Sequence, residues 1–369
     1  MLYIITIIML VLNFINAYYK KYIKFIPYLL LILMWIIYFG NYENPDYHNY
    51  LSNYNNLEPG NDFGFFLLKN FFYTNNISYH TFLSIISAIG LFLIYKTIKK
   101  IGVNYSYIYI LYFIYPFLLD VVQIRNFIIM SIFIYSIPYL LSNNNIDKIK
   151  YCILILIAST FQLTAIIYLP IVFLPNIKKY RFSKKIFILF ILIIFILSLS
   201  PSFLNLIRKT ILSLSEDSRL ESWMNIKSRY GFLIYWGIQI INFILVKWCN
   251  DYLIKEEKSI IQINGISLKK FIFQKEFVNL VYYINMYAFL FLPFYRFQST
   301  FTRFMRNIII LNLIVYCVYN LVKKKLHKTR INFNLIILIY TLFLFYIEIY
   351  IGYKDTIIKA IFENNIFFK

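Results

Sequence analysis

Charge is scarce in this chain. Of 369 residues, 14% are charged and 61% are hydrophobic, against about 25% and roughly 45–50% in a soluble domain. No water-facing surface can be assembled from that composition, which excludes a soluble globular enzyme. Acids are scarcer still: 16 Asp and Glu stand against 37 Lys and Arg, a net charge of +21. In a membrane chain that excess first marks the loops that stay cytoplasmic, so no nucleic-acid partner is implied. Cys152, Cys249 and Cys317 lack CxxC spacing, and His48, His80 and His327 lie far apart in sequence, so neither a disulfide framework nor a zinc motif is visible and no metal site is expected. A secretory signal is also missing: Lys20, Lys21 and Lys24 follow the apolar run 2–19 instead of preceding it, and the run reads as a retained first span with its start outside. With no Gly/Ser linker, no repeat period and no low-complexity block, a single polytopic membrane domain over 1–369 is expected.

What is present is a series of apolar runs: 2–17, 25–40, 81–95, 105–119, 127–141, 151–174, 186–199, 232–246, 277–294, 305–322 and 331–351. Ten or eleven spans of about 20 residues would use roughly 200 to 220 positions, close to the apolar content. The fold class expected is all-α, with about ten transmembrane helices. Run 151–174 stands apart, because Ser159, Thr160, Gln162 and Thr164 lie near its middle and Pro170 and Pro175 follow. Such features suit a re-entrant helical hairpin whose polar backbone is buried in protein. The charges agree. With 151–174 re-entrant, 24 basic residues fall inside, among them Lys178, Lys179, Arg181, Lys184 and Lys185, and 13 fall outside; as a true span the division becomes 19 against 18.

The basic residues also sort by type. Only Arg181 and Arg330 fall inside, whereas Arg125, Arg208, Arg219, Arg229, Arg296, Arg303 and Arg306 fall outside or at the outer rim. Lysine suffices for orientation; a guanidinium presents a fixed fork of donors suited to phosphate and carboxylate. The outer face is therefore expected to hold an anion, against the plainer reading that the arginines snorkel to lipid headgroups.

Two exterior loops are expected, 41–79 and 201–230. The first carries Glu43, Asp46, Glu58 and Asp62. Asp46, Tyr50 and Tyr54 are spaced i, i+4, i+8, which on a helix sets a carboxylate beside phenols on one face, able to position or deprotonate a sugar hydroxyl; tyrosines at headgroup depth are the alternative. His48 is offset from that stripe and is a second candidate base. Residues 61–73 (NDFGFFLLKNFFY) read as an amphipathic helix at the outer surface, fit to grip a lipid tail. The break DVVQIRN, 120–126, sets Gln123 and Arg125 at the outer membrane boundary, where a charge is costly unless paired or facing a cavity; Asp120 is the nearest partner for Arg125.

At this point the chain resembles the EpsG-like, Wzy-type polysaccharide polymerases of bacterial envelopes. The resemblance rests on NPDYHNYLSNY, EPGNDFGFFLL, QIRN, ASTFQLTAIIYLP and FYRFQSTFTRFMRN, in that order over about residues 25 to 310. It implies a GT-C-like or Wzy-like membrane arrangement and glycosyl transfer on the outer face of the cytoplasmic membrane. Donor and acceptor would be glycans on undecaprenyl diphosphate, with membrane lipids, a chain-length regulator and a flippase as partners and no cofactor. On that reading Arg125, Arg296, Arg303 and Arg306 bind diphosphates, Asp46 is the base or positions the acceptor, and Tyr50 and Gln162 support it; Gln123 and Asp62 are secondary candidates. The family usually has histidine where Gln162 stands, so only a hydrogen-bonding role passes to Gln162. No DxD-type pair argues for a metal ion.

Two rivals remain. A transporter or flippase is suggested by Glu348, Asn279 and Asn285 within spans, but the chain shows no matching halves. Another lipid-linked glycosyltransferase, or a ligase, would share the outward site and differ in its product.

Overall fold

The computed structural model describes residues 1–18, 23–57, 62–142, 144–179, 181–214, 221, 224, 230–255, 267–322 and 328–368. Glu58, Arg219, Arg229, His327 and the loop lysines Lys20, Lys21, Lys258, Lys323, Lys324 and Lys325 lie outside the described residues, as does much of the expected exterior loop 201–230. Among the described residues the chain is helical, and its one isolated β-bridge pairs Asn41 with Asn365. The helices run α1 (Leu2–Tyr18), α2 (Ile26–Gly40), α3 (Tyr47–Asn55), α4 (Phe63–Thr74) and α5 (Tyr79–Ile101). Next come α6 (Tyr105–Val122), α7 (Ile124–Leu141), α8 (Asn145–Phe161), α9 (Leu163–Asn176), α10 (Arg181–Leu197) and α11 (Pro201–Leu214). The last four are α12 (Phe232–Lys255), α13 (Leu268–Arg296), α14 (Thr300–Val322) and α15 (Lys328–Glu363).

Among the described residues, seven helices are long and apolar enough to cross a membrane: α5, α6, α7, α12, α13, α14 and α15. An eighth is reached if the pair Lys185–Leu197 and Pro201–Thr210, bent by 103°, counts as one span. About ten were expected. The difference lies in the short runs, since α1 and α2 form helices of 17 and 15 residues, below the roughly 20 that a bilayer core requires. The start of the expected exterior loop at 201 is itself helical, as α11.

The run 151–174 breaks where its polar residues predict. Helix α8 ends at Gln162, whose backbone is extended (φ −159°, ψ 120°), and α9 continues largely as a 3-10 helix through Pro170. The Tyr151 hydroxyl donates to the Tyr168 carbonyl at 2.6 Å. Seventeen residues of straight helix would hold those groups about 25 Å apart, so the chain turns back on itself at Gln162.

The contacts divide the described residues into two compact units: 1–139, 144–169 and 317–369 form the first, 140–143 and 170–316 the second. In the first, α5 packs on α2 and α7, and α7 on α8. Buried polar side chains are satisfied across helices, as an apolar solvent demands: Asn16 Nδ2 donates to Ser106 Oγ at 2.9 Å, and Tyr107 Oη and Asn320 Nδ2 both donate to Asn334 Oδ1, at 3.1 and 2.6 Å. Residues 40–44 are clasped to 360–366. Tyr42 N–H donates to the Asn364 carbonyl (3.2 Å), Ile366 N–H to that of Gly40 (2.9 Å), and Asn41 Nδ2 to that of Ala360 (2.9 Å). The Asn365 amide fills the space a side chain at position 40 would need, 2.6 Å from an ideal Cβ.

In the second unit α12 packs along α13. Asn285 and Asn312 exchange amide hydrogen bonds at 2.7 and 3.2 Å, and Gln239 Nε2 donates to the Asn285 carbonyl at 3.0 Å. The outward faces are apolar: Ile85, Ile89 and Phe92 on α5, Ile240, Ile244 and Trp248 on α12, and Leu335, Ile339 and Leu342 on α15 are exposed. A soluble monomer rarely shows such surface, and hydrocarbon is its natural solvent. Glu348 is buried in a π-helical turn of α15.

Candidate functional site

The first unit assembles its polar centre from four separated segments. Asp46 precedes α3, half-buried, and its carbonyl accepts from Tyr50 N–H at 3.0 Å, so the expected Asp-Tyr face does form on a helix. The face then divides. Tyr54 Oη donates to the Ile77 carbonyl at 2.8 Å and is structural, and burial raises the Tyr54 pKa, with Tyr73 adding to the rise. Tyr50 Oη accepts from Arg125 Nε at 3.3 Å.

Arg125 Nη1 donates to Asp62 Oδ2 in an ion pair, and the guanidinium lies 5.7 Å from the Tyr50 ring and 5.9 Å from the Phe65 ring. The Asp62 side chain is 9% exposed, and the guanidinium offsets the cost of burying a carboxylate there. Its other oxygen, Oδ1, accepts from Leu163 N–H at 3.4 Å, at the turn between α8 and α9. One carboxylate thus joins the Arg125 fork to the Gln162 turn. Asp120, the expected partner of Arg125, instead accepts from Tyr112 Oη at 2.9 Å. Sequence proximity favoured Asp120; the fold brings Asp62 from 63 residues away.

Helix α4 is what carries Asp62 to the turn. Its first residues press against Thr160: an ideal Cβ at Gly64 would lie 2.7 Å from Thr160 Cβ and 3.1 Å from the Thr160 carbonyl carbon. Glycine is required there by close approach. The amphipathic pattern of α4 is also as expected, with Phe63, Leu67 and Phe71 exposed along one face. Lys69 is buried beneath, and its Nζ donates to the Asn53 carbonyl at 2.8 Å, tying α4 to α3.

Gln162 is half-buried, and its Oε1 is enclosed with no hydrogen-bond partner among the described residues. Arg125 uses two of its five N–H groups on Asp62 and Tyr50. An orphan carbonyl acceptor at the turn and uncommitted guanidinium donors one carboxylate away suit a ligand carrying both hydroxyl and anionic oxygen. Gln123 sits half-buried at the break between α6 and α7. His48 is not drawn in, pairing with Glu43 at 3.2 Å at the exposed surface.

A second pair escaped the sequence reading. Tyr47 Oη and His80 Nε2 are 3.0 Å apart, and His80 Nδ1 lies 2.8 Å from the Phe39 carbonyl. The carbonyl fixes Nδ1 as donor in the neutral ring, so Nε2 accepts from the phenol. Burial, with Glu43 nearby, raises the Tyr47 pKa. Neither residue belongs to a repeating pattern, and 33 positions separate them.

The second unit holds the other arginines. Arg296 Nη1 donates to the carbonyls of Ser198 (2.8 Å) and Leu199 (3.2 Å) and lies 5.1 Å from the Phe232 ring, closing the end of α10 at its bend. Arg303 and Arg306 stand three residues apart on one short helical segment, half-buried and buried respectively. Among the described residues no three His, Cys, Asp or Glu side chains converge as metal ligands.

The segments that build this geometry are those that carry the family resemblance, and a family model covers them all: the EpsG family, matched over residues 24–359. The chain belongs to the EpsG family. EpsG is a family of Wzy-type polysaccharide polymerases, and the match runs well past the resemblance found over about 25 to 310. No curated protein and no solved structure matches the chain. As an EpsG protein it is assigned to polysaccharide polymerisation, a glycosyltransferase-like activity, in a multi-pass helical membrane protein.

Proposed function

We propose that this EpsG protein polymerises undecaprenyl-diphosphate-linked oligosaccharide repeat units into a surface polysaccharide, such as a capsule, exopolysaccharide or O-antigen, on the outer face of the cytoplasmic membrane. The observation that carries the reading is the joining of Tyr50, Arg125, Asp62 and the Gln162 turn from separate segments. In the reaction a hydroxyl of the acceptor repeat unit attacks the anomeric carbon of the donor. The new glycosidic bond forms, the bond from that carbon to the carrier diphosphate breaks, and the hydroxyl proton passes to a base. Asp46 is assigned as that base or as the group that orients the acceptor, with Tyr50 and Gln162 holding sugar hydroxyls. Charge grows on the departing diphosphate, and Arg125 meets it with donors already oriented. Arg296, Arg303 and Arg306 are assigned further diphosphate contacts. Asp62, already bound to Arg125, acts as a positioning residue.

Deleting the gene tests this directly. Single repeat units are expected to remain on the carrier or the surface, with long chains lost; long chains accumulating unattached would identify a ligase instead.

The turn at Gln162 supports a re-entrant hairpin, which assigns residues 178–185 to the cytoplasm. A cysteine introduced as Phe182→Cys in a background lacking the native cysteines is expected to react only with a membrane-permeant thiol reagent. Labelling by an impermeant reagent applied to intact cells would remove that topology.

A further inference from the structure

Arg330 is, with Arg181, one of the two exceptions to the sorting of arginine from lysine. It closes a lysine-rich stretch, 323–330, where orientation alone asks only for lysine, so a specific use of its fork is called for. It lines an open cleft of about 270 Å³ in the first unit, between the end of α1 and the first turns of α15. Phe14, Leu335 and Leu338 make the apolar wall, and Tyr18, Arg330 and Asn334 supply the polar groups. Among the described residues, the titratable groups that act on Arg330 are the phenols of Tyr18 and Tyr107 and the thiol of Cys317. Among the described residues it makes no ion pair and no hydrogen bond.

Asn334 adds a second donor. Its Oδ1 accepts from both Tyr107 and Asn320, which fixes the orientation of the amide; the residue lines the cleft, and its Nδ2 has no acceptor among the described residues. The side chain belongs to a residue only 8% exposed. From Arg330 an apolar path leads along α15, because Ile331, Leu335, Ile339 and Leu342 are 57, 55, 58 and 47% exposed at near-helical spacing. The cleft is smaller than the roughly 300–1,000 Å³ of a pocket that swallows its ligand. It suits a head group and the first methylenes, the remainder of the chain lying on the helix.

We propose that this cleft is a binding site for an anionic glycerophospholipid, whose phosphate takes the Arg330 fork and Asn334 Nδ2 while one acyl chain follows Leu335, Ile339 and Leu342. Charge complementarity selects an anion, and the apolar path selects a lipid over a free anion. The proposal stands apart from the polymerase reading and uses none of its residues.

The test is photo-crosslinking of the purified full chain in phosphatidylcholine nanodiscs, using a phosphatidylglycerol probe with a photoreactive group beside the phosphate. Labelled peptides are mapped by mass spectrometry. Labelling is expected at 14–18 and 330–338, reduced about tenfold in Arg330→Gln and in part in Arg330→Lys, which keeps the charge without the fork. Leu335→Trp, which fills the apolar wall with Arg330 intact, is expected to reduce it too. Thermal unfolding of each variant in detergent confirms folding, and the milder Arg330→Lys carries the test if Arg330→Gln does not fold. Equal labelling by a phosphatidylcholine probe, undiminished labelling in Arg330→Lys and Leu335→Trp, or displacement by inorganic phosphate alone would each overturn the assignment; so would displacement by undecaprenyl phosphate but not by phosphatidylglycerol.

Discussion

Arg125→Lys is expected to cut polymer output by about tenfold to a hundredfold while the protein remains in the membrane at its normal level, as read from glycan chain length on gels beside an immunoblot. Lysine keeps the charge but cannot reach Asp62 and Tyr50 together while offering further donors to a ligand. Arg125→Ala is a harsher change. It strands a carboxylate that is 9% exposed, and stranding a fully buried charge costs about 3–5 kcal/mol; because the arginine side chain is 27% exposed, about 2 kcal/mol is the expectation. The double variant Arg125→Gln, Asp62→Asn removes both charges and is expected to be more stable than Arg125→Ala yet equally inactive. Such a result separates the fork's chemical role from its structural one, and full polymerisation by either Arg125→Lys or the double variant would end the diphosphate assignment.

Gly64→Ala is expected to be nearly as damaging, although glycine and alanine differ by one methyl. The added carbon would stand 2.7 Å from Thr160 Cβ and 3.1 Å from the Thr160 carbonyl carbon, so α4 must draw away from the turn. Overpacking of this kind costs about 1–3 kcal/mol, and the displaced segment begins two residues from Asp62. Loss of polymer should therefore accompany a modest drop in thermal stability. Thr160→Gly in the same chain removes the nearer obstruction but leaves the carbonyl carbon, so partial recovery is expected. Two independent losses that simply add would mean that Gly64 and Thr160 do not act through one contact.

The helical class, the acid-tyrosine face, the amphipathic α4 and the break at Gln162 were legible because each is a local pattern: spacing, periodicity, or polar residues interrupting an apolar run. The partner of Arg125 was not. Asp120 is five residues away and was the natural choice, while Asp62 arrives only because α4 is seated on Thr160 and Lys69 ties that helix to Asn53. The Tyr47 and His80 contact is a tertiary coincidence of the same kind. Arginine sorting marked Arg296 as an anion ligand, yet two of its bonds hold backbone carbonyls at a helix end, a use that composition cannot distinguish from ligand binding. Of about ten spans expected, seven stand out among the described residues as long apolar helices, because apolar content fixes how much chain avoids water, not how it is cut into lengths that fit a bilayer.

The clasp between residues 40–44 and 360–366 constrains the route of everything between them. Two strips of backbone joined by hydrogen bonds must emerge on the same side of the membrane, so the chain has to traverse the bilayer an even number of times on its way from one to the other. Among the described residues, all seven long apolar helices lie after the first strip, the last of them running into the second, and seven leaves the return journey incomplete. If the kinked pair at Ser198–Ser200 is one more passage and the α8–α9 hairpin proposed above enters and leaves by the same face, the balance is restored. A reporter placed beside Asn365 would then report the compartment that Asp46 faces.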